Sequence, residues 1–158
     1  MNTLMTICIL IFAAFVAVVC IMNRTLPLSV AETAKMSRWP LRAAWYITAM
    51  LAAVCSAPAL IQSAAGDYQF LAFLTLAAAL LCIIATYGED TVDNYLNIGG
   101  TLVYYLAAMV LVIISPAWWL FVLPVGTLLY ALVARDSHLR LWTTIATTAT
   151  LMLYCYIV

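Results

Sequence analysis

The chain alternates between long apolar runs and short polar segments. Six apolar runs can be traced, and each is close to the roughly 20 residues that a helix needs to cross the hydrocarbon core of a bilayer. This pattern predicts an all-α integral membrane bundle of six transmembrane helices, folded as a single domain over residues 1–158. The predicted spans cover approximately residues 3–22, 41–62, 68–87, 97–114, 117–134 and 141–158.

Prolines and glycines mark positions where these helices should depart from regularity. Pro58 lies near the outer end of the second span and should bend the helix or end its hydrogen-bond ladder. Pro124 and Gly126 are expected kink sites in the fifth span. Gly99 and Gly100 open the fourth span, where their lack of a side chain would let a neighbouring helix approach closely.

The longest polar segment, residues 23–42, separates the first two runs. Within it, Ser29 is followed three residues later by Glu32, which is the spacing of a capping box. We therefore predict a short helix from about Val30 to Ser37 at the membrane interface. Trp39 and Trp45 flank the start of the next span, as aromatic residues of the interfacial belt do.

Composition agrees with the pattern. Hydrophobic residues make up 68% of the chain and charged residues 8%, whereas soluble domains carry about 25% charged residues. The mean hydropathy of +1.15 excludes an ordinary soluble globule. The net charge is zero, so binding of a nucleic acid has no electrostatic basis.

The distribution of basic residues predicts the orientation. All six Lys and Arg residues lie in or beside segments 23–42, 88–97 and 135–140, and the segments 63–67 and 115–117 have none. With six spans the three charged segments share one face. The positive-inside rule then places them in the cytoplasm of a bacterial-type inner (plasma) membrane, with both termini outside.

The acidic segment from Gly88 to Asn97 is the clearest candidate for chemistry. If a helix begins near Asp90, then Asp90, Asp93 and Asn97 fall on one stripe at i, i+3 and i+7. Three oxygen-bearing groups in that arrangement could hold Mg²⁺ or Ca²⁺. His138, the single histidine, could supply a general acid or base nearby. The candidate catalytic residues are therefore Asp90, Asp93 and His138, and the candidate metal ligands are Asp90, Asp93 and Asn97.

A structural interpretation of these residues is simpler. Asp and Asn are favoured at helix N-termini, where they cap free N–H groups and meet the positive end of the helix dipole. No charged residue lies in the middle of a predicted span, which disfavours a proton relay. A single histidine cannot build a multi-histidine zinc centre. The sequence thus favours a protein that is not an enzyme and needs no cofactor other than such a divalent ion.

The predicted spans also carry hydroxyl groups at helical spacing. Thr143, Thr147 and Thr150 lie along one stripe of the sixth span, and Tyr104 lies in the fourth. Such hydroxyls usually bond back to their own helix or across a helix–helix contact. The alternative is a cavity for a lipid or sterol-like molecule, with these four residues as the candidate ligand-binding groups.

Two stretches resemble a group of uncharacterised small multi-pass bacterial membrane proteins. Residues 26–33, Leu-Pro-Leu-Ser-Val-Ala-Glu-Thr, resemble a Pro-Ser-Ser-Ile-Ser-type segment that follows the first span of that group, and residues 68–82 resemble its third span. That group often has a Pro after the third span and a His entering the next, where this chain has Glu89-Asp90 and Asp93-Asn94. The resemblance implies a six-helix membrane fold and no particular activity.

Three classes of function therefore remain open from the sequence. The first is a membrane-embedded accessory protein that binds lipid, a membrane-protein partner or further copies of itself. The second is an interfacial enzyme that acts on lipid headgroups with the cytoplasmic acidic residues and His138. The third is a small oligomeric channel or carrier. The lack of catalytic motifs and of a soluble domain favours the first.

Overall fold

The computed structural model of the protein describes residues 2–64, 66–87 and 91–158. Within these residues the chain is helical and contains no β-strand, which confirms the predicted all-α class. Short 3₁₀ turns at Gly66–Tyr68 and Trp118–Phe121 precede α4 and α6. The α-helices are α1 (Asn2–Asn23), α2 (Val30–Met36), α3 (Leu41–Ser63), α4 (Gln69–Ala85), α5 (Thr91–Ile113), α6 (Val122–Val133) and α7 (Leu139–Ile157).

Several of these helices have the length and apolar character of membrane spans. The shorter apolar helix Trp118–Val133 falls below the length of a typical span. α7 has 19 residues, but its threonines and Arg140 make it less apolar than the others. Of the six predicted spans, four are thus long and apolar enough to cross a membrane: Asn2–Asn23, Leu41–Ser63, Gly66–Ala85 and Thr91–Ile113.

Pro58 and Pro124 both lie within helices. α3 continues through Pro58 to Ser63, so the helix does not end at this proline. Pro124 lies in the first turn of α6, directly after the 3₁₀ turn. A proline is tolerated in the first turn because the N–H groups there have no partner within the helix.

Half of the predicted capping box forms at the start of α2. The Ser29 Oγ accepts a hydrogen bond of 3.3 Å from the backbone N–H of Glu32, which satisfies one N–H donor that a helix start leaves free. The Glu32 carboxylate accepts from the backbone N–H of Leu28, the residue before the N-cap, rather than from Ser29 itself. The helix ends at Met36, one residue before the predicted end.

The long helices run alternately up and down, so the loops gather at two ends. At one end, the Asn2 side chain donates to the carbonyl of Cys155 at 2.6 Å. The Tyr154 hydroxyl donates to the carbonyl of Ser63 at 2.7 Å. These bonds bring both termini and the α3–α4 connection together.

The opposite end, which we call the charged end, comprises residues 24–42, 86–87 and 134–140. A ring nitrogen of His138 lies 3.0 Å from the carbonyl oxygen of Pro27. The Arg42 guanidinium donates to the carbonyl of Tyr87 at 3.4 Å. All six Lys and Arg residues of the chain therefore lie at one end of the bundle, as the charge pattern predicts.

Short α2 is fixed against the inside of the charged end. Thr33 and Ala34 are fully buried, and the Trp45 indole N–H donates to the Thr33 hydroxyl at 2.7 Å. Phe12 of α1 packs edge-on against Trp45, with ring centroids 5.4 Å apart. α2 consequently lies between α1, α3 and α7 and closes the centre of the bundle at this end.

Candidate functional site

A cavity of about 190 Å³ lies along the centre of the bundle. Its wall is built by α1, α3, α4, α5 and α7, and the start of α2 covers the charged end. On α3 the lining residues extend from Trp45 to Leu60, which corresponds to about 22 Å along a helix axis. We call this space the central cavity.

Small side chains along α3 and α4 create the space. Ala49, Ala52 and Ala53 line the cavity from α3, and Ala79 faces it from α4. Larger apolar residues, among them Met5 of α1 and Leu60 of α3, surround the end nearest the termini. The wall away from the charged end therefore offers a ligand mainly hydrocarbon surface.

Hydroxyl groups on the wall are already engaged by the protein. Thr75 donates to the carbonyl of Leu71 at 2.7 Å, and Ser56 donates to the carbonyl of Ala52 at 2.5 Å. Thr148 bonds back to the carbonyl of its own helix in the same way. Among the described residues, no buried side-chain nitrogen or oxygen lacks a hydrogen-bond partner. Apolar contact rather than specific polar recognition must therefore dominate binding in this part of the cavity.

A second pocket of about 130 Å³ lies at the charged end. It adjoins the central cavity, with which it shares lining residues, and we call it the mouth. The additional residues of the mouth include Glu32, Lys35 and Asn94. Five residues line both spaces: Ser29, Ala31, Thr86, Asn97 and Arg140.

Charge is concentrated at the mouth. Lys35 of α2 and Arg140 of α7 supply two cations, and Glu32 supplies one carboxylate. That carboxylate already accepts the backbone N–H of Leu28. Summed over the described residues that line it, the mouth carries one net positive charge. It lies next to an apolar cavity.

The predicted metal and catalytic residues do not form a cluster in the described part of the chain. Asp90 lies outside the described residues, and Asp93 is half-buried in the first turn of α5. The Asn97 amide donates across to the carbonyl of Cys82 at 3.1 Å, so this side chain joins α5 to α4. Within residues 2–64, 66–87 and 91–158, no three His, Cys, Asp or Glu side chains could hold a metal ion.

His138 has a structural contact instead. It is the residue before the first turn of α7, and its Nδ1 lies against the carbonyl of Pro27. Its backbone N–H donates to Asp136 Oδ1 at 2.8 Å, and Asp136 Oδ2 accepts the indole N–H of Trp142 at 3.1 Å. The arrangement ties the α6–α7 connection to the segment after α1.

The predicted hydroxyl stripe divides between two faces. Tyr104 lines the central cavity, and its hydroxyl lies 3.1 Å from the hydroxyl of Thr148. Thr143, Thr147 and Thr150 are buried but lie outside the cavity wall. Thr143, for example, bonds to the hydroxyl of Tyr105 on α5 at 2.9 Å. Thr143 is thus placed at a helix contact, and the Thr150 hydroxyl bonds back to the carbonyl of Ala146 in its own helix at 2.8 Å.

The residues that sequence reasoning missed are those one position further along α7. Arg140, Thr144 and Thr148 follow at intervals of four residues and all line the central cavity. The sequence feature that could have revealed this stripe is the cation at its first position, Arg140. A stripe that begins with Arg140 and continues with Thr144 and Thr148 is charged at one end and only weakly polar at the other.

The fold and the cavity together define a helical membrane protein with an internal amphipathic cavity. Comparison of the chain with protein-family models, with curated proteins and with solved structures finds no significant match. The function must therefore be argued from the geometry of the cavity.

Proposed function

We propose that the protein is a small polytopic inner-membrane protein that binds the hydrocarbon chain of a lipid-like amphiphile in its central cavity. In this role it serves as a lipid-binding accessory protein rather than as an enzyme. The observation that carries the proposal is an apolar cavity that shares five lining residues with a charged mouth. An amphiphile has the same division between a long apolar part and a polar headgroup.

The energetic case rests on the apolar wall. Removing apolar surface from water stabilises a complex by about 25 cal/mol per Å². A polar ligand would have to give up its water for a wall whose hydroxyls bond to their own helices, at a cost of several kcal/mol per unpaired group. A hydrocarbon chain has no such cost, so it is the best occupant of the cavity.

We also propose six spans with both termini outside. Support comes from the position of all six basic residues at one end of the bundle, because the positive-inside rule places such an end in the cytoplasm. The mouth of the cavity then lies at the cytoplasmic face, at the level of lipid headgroups. The tail of a bound amphiphile would point toward the outer half of the membrane.

Two adjacent residues of α3 allow a matched test. Ala53 lines the central cavity, whereas Val54 is exposed on the outer surface of the bundle. Ala53→Phe should fill the cavity, and Val54→Phe adds a ring of the same kind to the outside of the same helix. Gently purified wild-type protein and Val54→Phe should each retain a lipid-like molecule in native mass spectrometry, and Ala53→Phe should lose it.

The thermal midpoint of all three proteins, measured in the same detergent, shows whether Ala53→Phe is still folded. Ser56→Leu fills the same cavity with a smaller change and serves if Ala53→Phe does not fold. Retention of the same adduct by a folded cavity-filling variant would contradict the proposal. Metal analysis of the same samples tests the enzymatic alternative, because a stoichiometric divalent ion would favour headgroup chemistry instead.

A further inference from the structure

We infer that the headgroup of the bound amphiphile is an anion of the phosphate class, held at the mouth by Arg140 and Lys35, and that a single hydrocarbon chain enters the cavity. This inference rests on the proposed function, since it assigns the chemistry of the same ligand. Three features of the mouth support the headgroup, and the shape of the cavity supports the single chain.

The first feature is the position of Arg140. Of the described residues that line the central cavity, it is the one that carries a charge, and it also lines the mouth. Arg140 therefore lies where the central cavity and the mouth adjoin. Among the described residues that line these two spaces, the one carboxylate is that of Glu32, which accepts the backbone N–H of Leu28. A guanidinium can donate two parallel hydrogen bonds to a phosphate, which makes arginine well suited to this headgroup.

The second feature is the way the backbone around Arg140 is held. The carbonyl oxygen of Arg140 accepts hydrogen bonds from Thr144 at 2.6 Å and from Tyr105 at 3.1 Å. Tyr105 belongs to α5, so the first turn of α7 is fixed against a neighbouring helix. A fixed backbone limits the positions open to the side chain, which lowers the entropy lost when the headgroup binds.

The third feature is the charge balance. Lys35 adds a second cation across the mouth, and the opposing Glu32 is committed to the start of α2. A phosphate monoester carries a charge of about −1.5 to −2 at neutral pH. An anionic headgroup can therefore offset the positive charge that remains at the mouth after Glu32 is counted, whereas a neutral headgroup would leave that charge uncompensated beside an apolar space.

The size of the cavity limits the apolar part of the ligand. The central cavity has a volume of about 190 Å³ and extends over about 22 Å along α3. A space that is long and narrow in this way has the width of one hydrocarbon chain rather than of the two chains of a complete phospholipid.

Three probes with the same hydrocarbon chain separate headgroup from tail. They are 1-oleoyl-glycerol 3-phosphate, which carries a phosphate, monooleoylglycerol, which is its neutral counterpart, and inorganic phosphate, which has no tail. Binding of each to the delipidated full-length protein in detergent is measured by isothermal titration. We expect the phosphate amphiphile to bind at least about tenfold more tightly than the neutral one, and inorganic phosphate to bind far more weakly than either.

Arg140→Gln should reduce the preference for the phosphate amphiphile to about threefold or less, without weakening the binding of monooleoylglycerol. Arg140→Lys retains the charge and should keep part of the preference. Arg38→Gln is the matched control, because Arg38 is an exposed cation of the charged end outside the mouth. It should leave both affinities unchanged.

The outcomes separate the two proposals. Equal affinity of the wild-type protein for the two oleoyl probes, with both blocked by Ala53→Phe, would overturn the headgroup inference and leave the proposed function standing. A preference that survives in Arg140→Gln would overturn it as well. Failure of the wild-type protein to bind either oleoyl probe would contradict the proposed function. Tight binding of inorganic phosphate alone would show that the tail does not take part and would reject the amphiphile.

Discussion

Thr33 and Trp45 show how single polar atoms hold this apolar bundle together. The Thr33 hydroxyl donates to the carbonyl of Val30 at 2.6 Å and accepts the indole N–H of Trp45 at 2.7 Å. Both side chains are almost fully buried. The buried indole N–H is shielded from water. Loss of the Thr33 hydroxyl would therefore leave this donor without a partner, which costs more free energy than an ordinary hydrogen bond contributes.

Thr33→Val keeps the shape of the side chain and removes the hydroxyl. A buried donor left without an acceptor costs about 1–3 kcal/mol, so the variant should unfold at a lower temperature than the wild-type protein in the same detergent. Thr127→Val is the matched control, because the Thr127 hydroxyl donates only to the carbonyl of Leu123 in its own helix. An equal loss of stability in the two variants would show that the Trp45 contact contributes nothing.

At the scale of single residues, the sequence predicts local bonds well and distant ones poorly. The capping of α2 by Ser29 is set by residues within one turn, and it forms as predicted. The partner of Asn97 is a carbonyl of α4, fifteen residues away. The spacing of Asp93 and Asn97 indicates a shared stripe but does not reveal what lies opposite that stripe.

Among the described elements, α4 and α5 share the most extensive helix contact, and Gly100 lies at this contact. A Cβ atom at Gly100 would come within 3.0 Å of Cys82 Sγ, whereas one at Gly99 would meet nothing within 4 Å. The two neighbouring glycines thus differ in their surroundings. Close approach of the helices depends on Gly100, while Gly99 faces away from the contact.

Substitution by leucine should distinguish these two glycines. Gly100→Leu forces α4 and α5 apart and should destabilise the protein by about 1–3 kcal/mol, as overpacking of a core typically does. Gly99→Leu should be neutral or slightly stabilising, because leucine favours a helix over glycine by up to about 1 kcal/mol. Thermal unfolding of both variants in one detergent measures the difference, and similar midpoints would argue against the observed α4–α5 contact.

At the scale of the whole molecule, the basic residues are confined to one end of the bundle. The charged end contains every Lys and Arg residue, and Asp67 lies at the opposite end. Since moving a charged side chain to the centre of a bilayer costs about 2.5–3.5 kcal/mol or more, this division is compatible with a membrane across the middle of the bundle. It also gives the proposed orientation a direct test.

Cysteines introduced at exposed positions should report the orientation in intact cells. In a background without the native cysteines, a membrane-impermeant maleimide added from outside should label Asp67→Cys but not Thr25→Cys or Ser137→Cys. All three side chains are exposed in the structure, so access depends on the side of the membrane alone. Labelling of the last two positions, with protection of the first, would reverse the proposed topology.

The sequence by itself determined the features that depend on local pattern. The length of the apolar runs indicates helices of membrane-spanning length, and the capping box sets the start of α2. The position of the basic residues indicates which loops lie at the same end. Each of these follows from residues close together in the chain or from the bilayer, which acts as a uniform solvent on every apolar run.

Only the tertiary structure decided which side of each helix faces the cavity. On α7, the stripe with Thr143 and Thr147 differs from the stripe with Arg140, Thr144 and Thr148 by a rotation of about 100° around the helix axis. Both stripes are equally regular in the sequence, and both offer hydroxyl groups. The choice between them depends on where α5 and α3 pack against α7, and those contacts join residues that are far apart in the chain.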